Sequence, residues 1–111
     1  MVRELKEKYN HRCQICGLQL YKGNGEYYSE GHHLRPLGRE HFGVDDEDNI
    51  IILCPNHHTE FDYGVIAIDP KTKRIIHVDP KNEFHDKNLV NKRNLKNDYL
   101  IYHLENVFVT R

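Results

Sequence analysis

Three cysteines and several histidines fall at metal-ligand spacing. Cys13 and Cys16 make a CxxC pair in HRCQICG, and Cys54 and His57 make a CxxH pair in LCPNHHTEFD. A two-residue gap lets both side chains of a pair converge from one turn. Three soft sulfurs and one imidazole are the donor set of a closed, tetrahedral structural zinc site. A site joining residue 13 to residue 57 pins an N-terminal turn onto the middle of the chain, so its binding free energy is folding free energy. The competing readings are buried apolar cysteines with an incidental His57, and a redox pair at Cys13 and Cys16. The redox pair lacks a surrounding thioredoxin-like βαβ pattern.

A second cluster follows at once. His58 points about 100° further round a helix than His57, so it cannot easily serve the same ion. His58 and Asp62 are four apart and share one helical face. His32 and His33 are adjacent in YYSEGHHL. Neighbours on an extended segment point to opposite faces, which gives these two different jobs. His and Asp donors around an open position leave room for water and phosphate oxygens. A metal there would neutralise charge building on a phosphodiester. An unliganded histidine titrating near neutrality would take a proton from water. The bland alternative is surface histidines in a chain that has nine; the paired spacing argues against it.

Short elements must position these groups. Val2, Leu5 and Tyr9 fall at helical spacing, which predicts a charged helix over 2–9. CQICG is a tight turn, and Gly23, Asn24 and Gly25 mark residues 18–27 as a loop. Residues 27–34 read as extended, bounded by Pro36. Residues 35–48, rich in Gly and Asp, read as a long loop. NIIILC (49–54) reads as a β-branched strand, and Pro55 suits the first turn of a helix running to about Gly64. VIAIDPKTKRIIHV (65–78) reads as a hairpin. Residues 89–104 read as a helix, and NVFVTR at the end as a short strand.

Composition limits the alternatives. A chain of 111 residues with 38% hydrophobic content suggests one domain that needs a staple. An odd number of cysteines argues against a disulfide-paired secreted domain. The polar first twelve residues do not resemble a signal peptide, and no run is apolar enough to span a bilayer. The expected compartment is the cytoplasm. The net charge of −1 is low for a bland basic nucleic-acid binder. The distribution is uneven, however: residues 26–63 hold nine acidic and two basic residues, between two basic flanks.

The sequence is similar to the HNH nuclease family, in the subgroup whose ββα-metal finger carries a zinc knuckle. The resemblance rests on CQIC at 13–16, GHHLRPL at 31–37, Asn49 and LCPNHHTEFD at 53–62, and covers residues 13–64. HHLRPLG followed by ILCPNHHTEFDYG also resembles the HNH domains of bacterial restriction endonucleases. The resemblance implies a small α+β fold: a treble-clef-like ββα-metal finger with structural zinc, plus a β-hairpin and a C-terminal helix. It implies one nuclease domain over 1–111, with its core motif at 13–64 and an extension at 65–111. Cys13, Cys16, Cys54 and His57 would hold structural zinc. His32 and His58 would hold the catalytic ion, with Asp62 where some members have a last histidine. His33 would be the general base, held by a backbone carbonyl on one ring nitrogen. Asn49 would brace the loop that positions it. The first motif reads His-His where many members have Asp-His, and His57 replaces a common cysteine. The catalytic ion would be Mg or Mn, with Ni and Zn admitted by the softer ligands.

The implied activity is metal-dependent hydrolysis of double-stranded DNA to 5′-phosphate and 3′-hydroxyl ends, as a nicking or restriction-type endonuclease. The alternative is a noncatalytic, zinc-stabilised nucleic-acid-binding module. Arg35 and Arg39 are candidate phosphate contacts beside the catalytic strand. Lys87, Lys92, Arg93 and Lys96 form a looser basic patch near the C-terminal helix, of which Lys92, Arg93 and Lys96 are the candidate DNA contacts. One site cuts one strand, so double-strand cleavage would need a homodimer or two sequential nicks. The chain either cuts without sequence choice, is the nuclease half of a larger protein with a targeting domain, or works beside a separate targeting subunit.

Overall fold

A computed structural model describes residues 2–91 and 95–108. The fold is a small α+β arrangement of short helices and three two-stranded antiparallel pairs. Its centre is β3 (Glu30–His33), β4 (Ile50–Leu53) and α2 (Pro55–Asp62), the expected ββα finger. The β3–β4 register pairs Glu30 with Leu53, Gly31 with Ile52, His32 with Ile51 and His33 with Ile50.

That register divides the core in two. Ile51 and Leu53 join the main cluster with Phe61, Ile66, Ile68, Ile75 and Leu100. Ile50 and Ile52 face the other way, against Leu5 of α1 (Val2–Lys8). All four strand residues are buried, so a continuous apolar run replaces an alternating one. His32 and His33 inherit the same division: adjacent residues are sent to opposite faces.

Helix α2 begins at Cys54 with Pro55 in its first turn, where a missing N–H costs nothing. Gly64, just past the Tyr63 cap, closes the C-terminus with a φ of +71°, and Val65 N–H donates to Glu60 O at 3.1 Å. The predicted hairpin is present as β5 (Ile66–Ile68) and β6 (Ile75–His77).

Four expectations need correction. Residues 18–27 are not simply a loop: β1 (Leu20–Gly23) and β2 (Glu26–Tyr28) form a hairpin around Asn24 and Gly25. Both turn residues have positive φ, the requirement of a tight hairpin turn. The extended segment 27–34 divides at Ser29, whose buried hydroxyl meets His11 Nδ1 at 2.9 Å. Helix α3 spans Asn97–Asn106 rather than 89–104. Val90 N–H donates to Gln14 O at 2.7 Å, so this stretch is held on the cysteine turn instead of in a helix. The terminal strand fails at its start, because Val107 and Phe108 close α3 onto His103 O; residues 109–111 lie outside the described residues.

Candidate metal centres and active site

Cys13, Cys16, Cys54 and His57 offer ligand atoms all within 4.8 Å of one another. Cys13 Sγ lies 3.6 Å from His57 Nδ1, Cys54 Sγ lies 3.3 Å from it, and Cys16 Sγ lies 3.9 Å from Cys54 Sγ. Zinc bond lengths set tetrahedral edges of about 3.5 Å for S–N and about 3.8 Å for S–S. The donors therefore fit zinc in both kind and spacing. Burial pushes the Cys13 thiol up to about 12 and raises Cys16, while burial lowers His57. Without a cation Cys13, Cys16 and His57 thus favour their uncharged forms, and metal binding must release thiol protons.

The tetrad is fastened to the finger by Gln14, which sequence reasoning missed. Its backbone N–H donates to Ile52 O at 2.8 Å, and its Oε1 accepts from Ile52 N at 2.9 Å. Gln14 is fully buried. A second outer contact lies at His57 Nε2, 3.5 Å from Glu60 Oε1, while Glu60 Oε2 lies 3.3 Å from His77 Nε2. A ligating histidine whose other nitrogen meets a carboxylate has its ring orientation fixed.

His32, His58 and Asp62 form a second cluster. His32 Nδ1 is 3.4 Å from Asp62 Oδ1, and His58 Nε2 is 3.8 Å from Asp62 Oδ2. The first spacing suits a hard or borderline divalent ion, whose N/O ligand edges run from about 3.0 Å (octahedral) to about 3.4 Å (tetrahedral), and the second is wider, so His58 would draw in on binding. Asp62 is more than half exposed, so this cluster opens to solvent where the cysteine tetrad does not. Glu30 meets His58 Nδ1 and also accepts from the Tyr28 hydroxyl at 2.8 Å. That leaves His58 Nε2 for the cluster. Burial, with smaller contributions from His103, His58 and His33, brings His32 down to about 3. It is therefore neutral at physiological pH, the form in which imidazole binds metals. His103 of α3 packs edge-on against His32, with ring centroids 5.8 Å apart.

His33 joins His32, Leu37, His58 and Asp62 in lining an open depression of about 300 Å³. Its partner is the Asp45 carboxylate, with His33 Nε2 2.9 Å from Asp45 Oδ1, rather than the backbone carbonyl that the family resemblance implied. Asn49 is fully buried and bonded three times: Arg35 N–H donates to its Oδ1 at 2.9 Å, and its Nδ2 donates to Arg35 O and Val44 O at 3.0 and 2.8 Å. It ties the end of the strand carrying His33 to the loop carrying Asp45.

A family model described as HNH endonuclease matches residues 13–69, just over half of the chain. The chain belongs to the HNH endonuclease family. The chain is 42% identical over 54 residues to the type IV methyl-directed restriction enzyme EcoKMcrA of Escherichia coli, covering 47% of this chain and 19% of that enzyme. Anaredoxin of a Nostoc species is 31% identical over 67 residues, covering 60% of this chain and 78% of the relative. The HNH fold also matches the modification-dependent restriction endonuclease TagI, with a TM-score of 0.77 and 34% identity over 96% of this chain and 38% of that one. The chain thus spans well under half the length of both restriction enzymes.

The expected DNA contacts fare unevenly. Arg35 is half-buried, stacks 4.4 Å above the Tyr102 ring, and donates from Nε to His41 O. Arg39 is exposed on the loop. Lys96 is exposed and its backbone N–H donates to Asp48 O at 3.0 Å. Lys92 and Arg93 lie outside the described residues. Among the described residues, no helix is long and apolar enough to cross a membrane.

Asp45, Glu30 and His103 were missed as site residues. Glu60, one of the possible ligands offered by LCPNHHTEFD, lies three residues after His57 and meets its ring; Glu30 lies two before His32 on the same strand face and from there meets His58. Asp45, in a run of four acidic residues, carried no such signal.

Proposed function

We propose that this chain is the nuclease unit of a DNA endonuclease, hydrolysing phosphodiester bonds to 5′-phosphate and 3′-hydroxyl ends. The observation that carries the proposal is the open His32–His58–Asp62 cluster with His33 in the same depression. A zinc-stabilised binding module has no use for a second, solvent-open ligand set beside an unliganded histidine.

His32 and His58, with Asp62, would hold a divalent ion, Mg or Mn before Ni or Zn. Such an ion supplies positive charge to phosphate oxygens as negative charge builds on them. His33 takes a proton from water. The water oxygen attacks phosphorus, the bond from phosphorus to the 3′ oxygen breaks, and that oxygen takes a proton from solvent. Asn49 keeps the strand end and the loop in register around His33. Cys13, Cys16, Cys54 and His57 would hold zinc and keep α2 in place. Arg35, Arg39 and Lys96 would contact DNA phosphates, joined by Lys92 and Arg93.

We read residues 1–111 as one HNH nuclease domain, its core motif at 13–64 and its extension at 65–111. The two restriction enzymes it resembles are named as methyl-directed and modification-dependent. The matched region is the smaller part of each, so site choice would belong to a targeting domain or subunit, and double-strand cuts to a homodimer or two nicks. Three unpaired cysteines support a reducing, cytoplasmic setting.

The test is nicking of supercoiled plasmid with Mg, Mn, Ni or Zn, run beside His33→Ala. Removing a general base costs about 10²- to 10⁴-fold in rate. Wild-type cleavage surviving in His33→Ala would overturn the base assignment. The name of the Nostoc relative favours a second reading, in which the Cys3His cluster has a redox role. Elemental analysis separates them: zinc at one per chain supports the structural role, and a redox-active metal in its place supports the other.

A further inference from the structure

We propose that Asp45 is the positioning residue for His33, so that the base works as a histidine–carboxylate pair delivered by a loop. This rests on the nuclease reading above. His33 Nε2 and Asp45 Oδ1 are 2.9 Å apart. An ionised carboxylate only accepts hydrogen bonds, so the proton of a neutral His33 sits on Nε2 and Nδ1 carries the free lone pair. A carboxylate is also a stronger acceptor than the backbone carbonyl it replaces.

The loop is built to present this group. Residues 36–43 close on themselves: Phe42 N–H donates to Gly38 O at 2.9 Å and Gly43 N–H to Pro36 O at 2.8 Å. A Cβ at Gly43 would stand 1.8 Å from Arg35 O, so the approach needs glycine. The next residue, Val44, gives its carbonyl to Asn49 Nδ2, and Asp45 follows directly. Asn49 simultaneously holds Arg35, two residues after His33. One buried amide therefore fixes both halves of the pair.

Electrostatics gives a second argument. A carboxylate beside a depression that receives a phosphodiester repels the substrate. Asp45 is about half exposed and does not line the depression, and His33 is about four-fifths buried, so the carboxylate stays in solvent with one oxygen turned onto the ring. In the reaction Nδ1 takes the proton from water, and the imidazolium that forms is stabilised by Asp45 through Nε2–H. The carboxylate itself gains no proton.

The experiment compares wild type, Asp45→Ala and Asp45→Asn, each zinc-loaded and checked for folding by circular dichroism. Histidine-labelled ¹⁵N spectra, with the His33 signals assigned by their loss in His33→Ala, report which ring nitrogen carries the proton. Plasmid nicking with Mn gives kcat and KM. We expect the Nε2–H form in wild type and Asp45→Asn, whose amide oxygen still accepts, and a mixture of forms in Asp45→Ala. We expect kcat to fall about 10- to 100-fold in Asp45→Ala with KM no higher, and Asp45→Asn to lie between. That is less than loss of the base itself, because water partly replaces a half-exposed carboxylate. An unchanged His33 tautomer in Asp45→Ala, or a kcat equal to or above wild type, overturns the proposal. A wild type inactive with every metal, together with the tautomer change, would overturn the nuclease reading and leave the contact standing.

Discussion

Replacing Asn49 with alanine should damage stability and activity together, and the size of the loss follows from its bonds. Three hydrogen bonds disappear, two to Arg35 and one to Val44. Each contributes about 0.5–1.5 kcal/mol net. Asn49 is fully buried, so the abandoned backbone groups are poorly reached by water, and the sum comes to about 3 kcal/mol. Asn49→Asp keeps the acceptor for Arg35 N–H but turns a negative oxygen toward two carbonyl oxygens, so its loss should exceed that of alanine. Urea unfolding in excess zinc measures this, with the midpoint falling at unchanged slope. Excess zinc matters because binding to the folded state adds to its apparent stability. A loss under about 1 kcal/mol for alanine, or an Asp variant more stable than the alanine one, would refute the bonding argument.

Three further outcomes follow from the geometry. Glu60→Gln weakens the carboxylate contact with His57 Nε2 and should lower zinc affinity about 10- to 100-fold, measured by competition with a chromophoric chelator. Glu30→Gln should lower Mn affinity at the open cluster by a similar factor while zinc content stays at one per chain; calorimetry with elemental analysis reads both. Gly43→Ala places a methyl against the Arg35 carbonyl and should cost about 1–3 kcal/mol and most of the cleavage, with zinc retained.

The two clusters were legible because their geometry is local. Two CxxC-type gaps and the four-residue step from His58 to Asp62 are written within single turns. The opposite facing of His32 and His33 follows from strand alternation, and the isoleucine run opposite them announced a strand, though not its burial on both faces. What escaped was built by distant closure. Asp45 reaches His33 only because Asn49 and Gly43 fold a long loop back on the strand end. His103 reaches His32 from a helix 71 residues further along the chain. The start of α3 was misjudged for the same reason: Val90 bonds to Gln14, and that partner is invisible to a local pattern. The β1–β2 hairpin is a different failure, since its Asn24-Gly25 turn signal was present and was read only as a loop.

The two metal clusters share α2, and this makes their affinities depend on each other. Cys54 and His57 stand at the start of the helix, and His58 and Asp62 follow on the next turn. An eight-residue helix is marginal by itself, and α2 buries only His57 and Phe61 along its length. Its N-terminal end is therefore held chiefly by the tetrad. Stripping zinc should let α2 fray and separate His58 and Asp62 from His32, lowering Mn affinity at least tenfold. Linkage requires the reverse effect to be equal: saturating Mn must tighten zinc binding by the same factor. Titrating Mn into zinc-free and zinc-loaded protein gives the first factor, and chelator competition with and without Mn gives the second. Equal factors above ten support α2 as the shared element. Mn binding with full affinity in the zinc-free chain would show that the finger stands without its zinc, and that the tetrad holds something other than the active site in place.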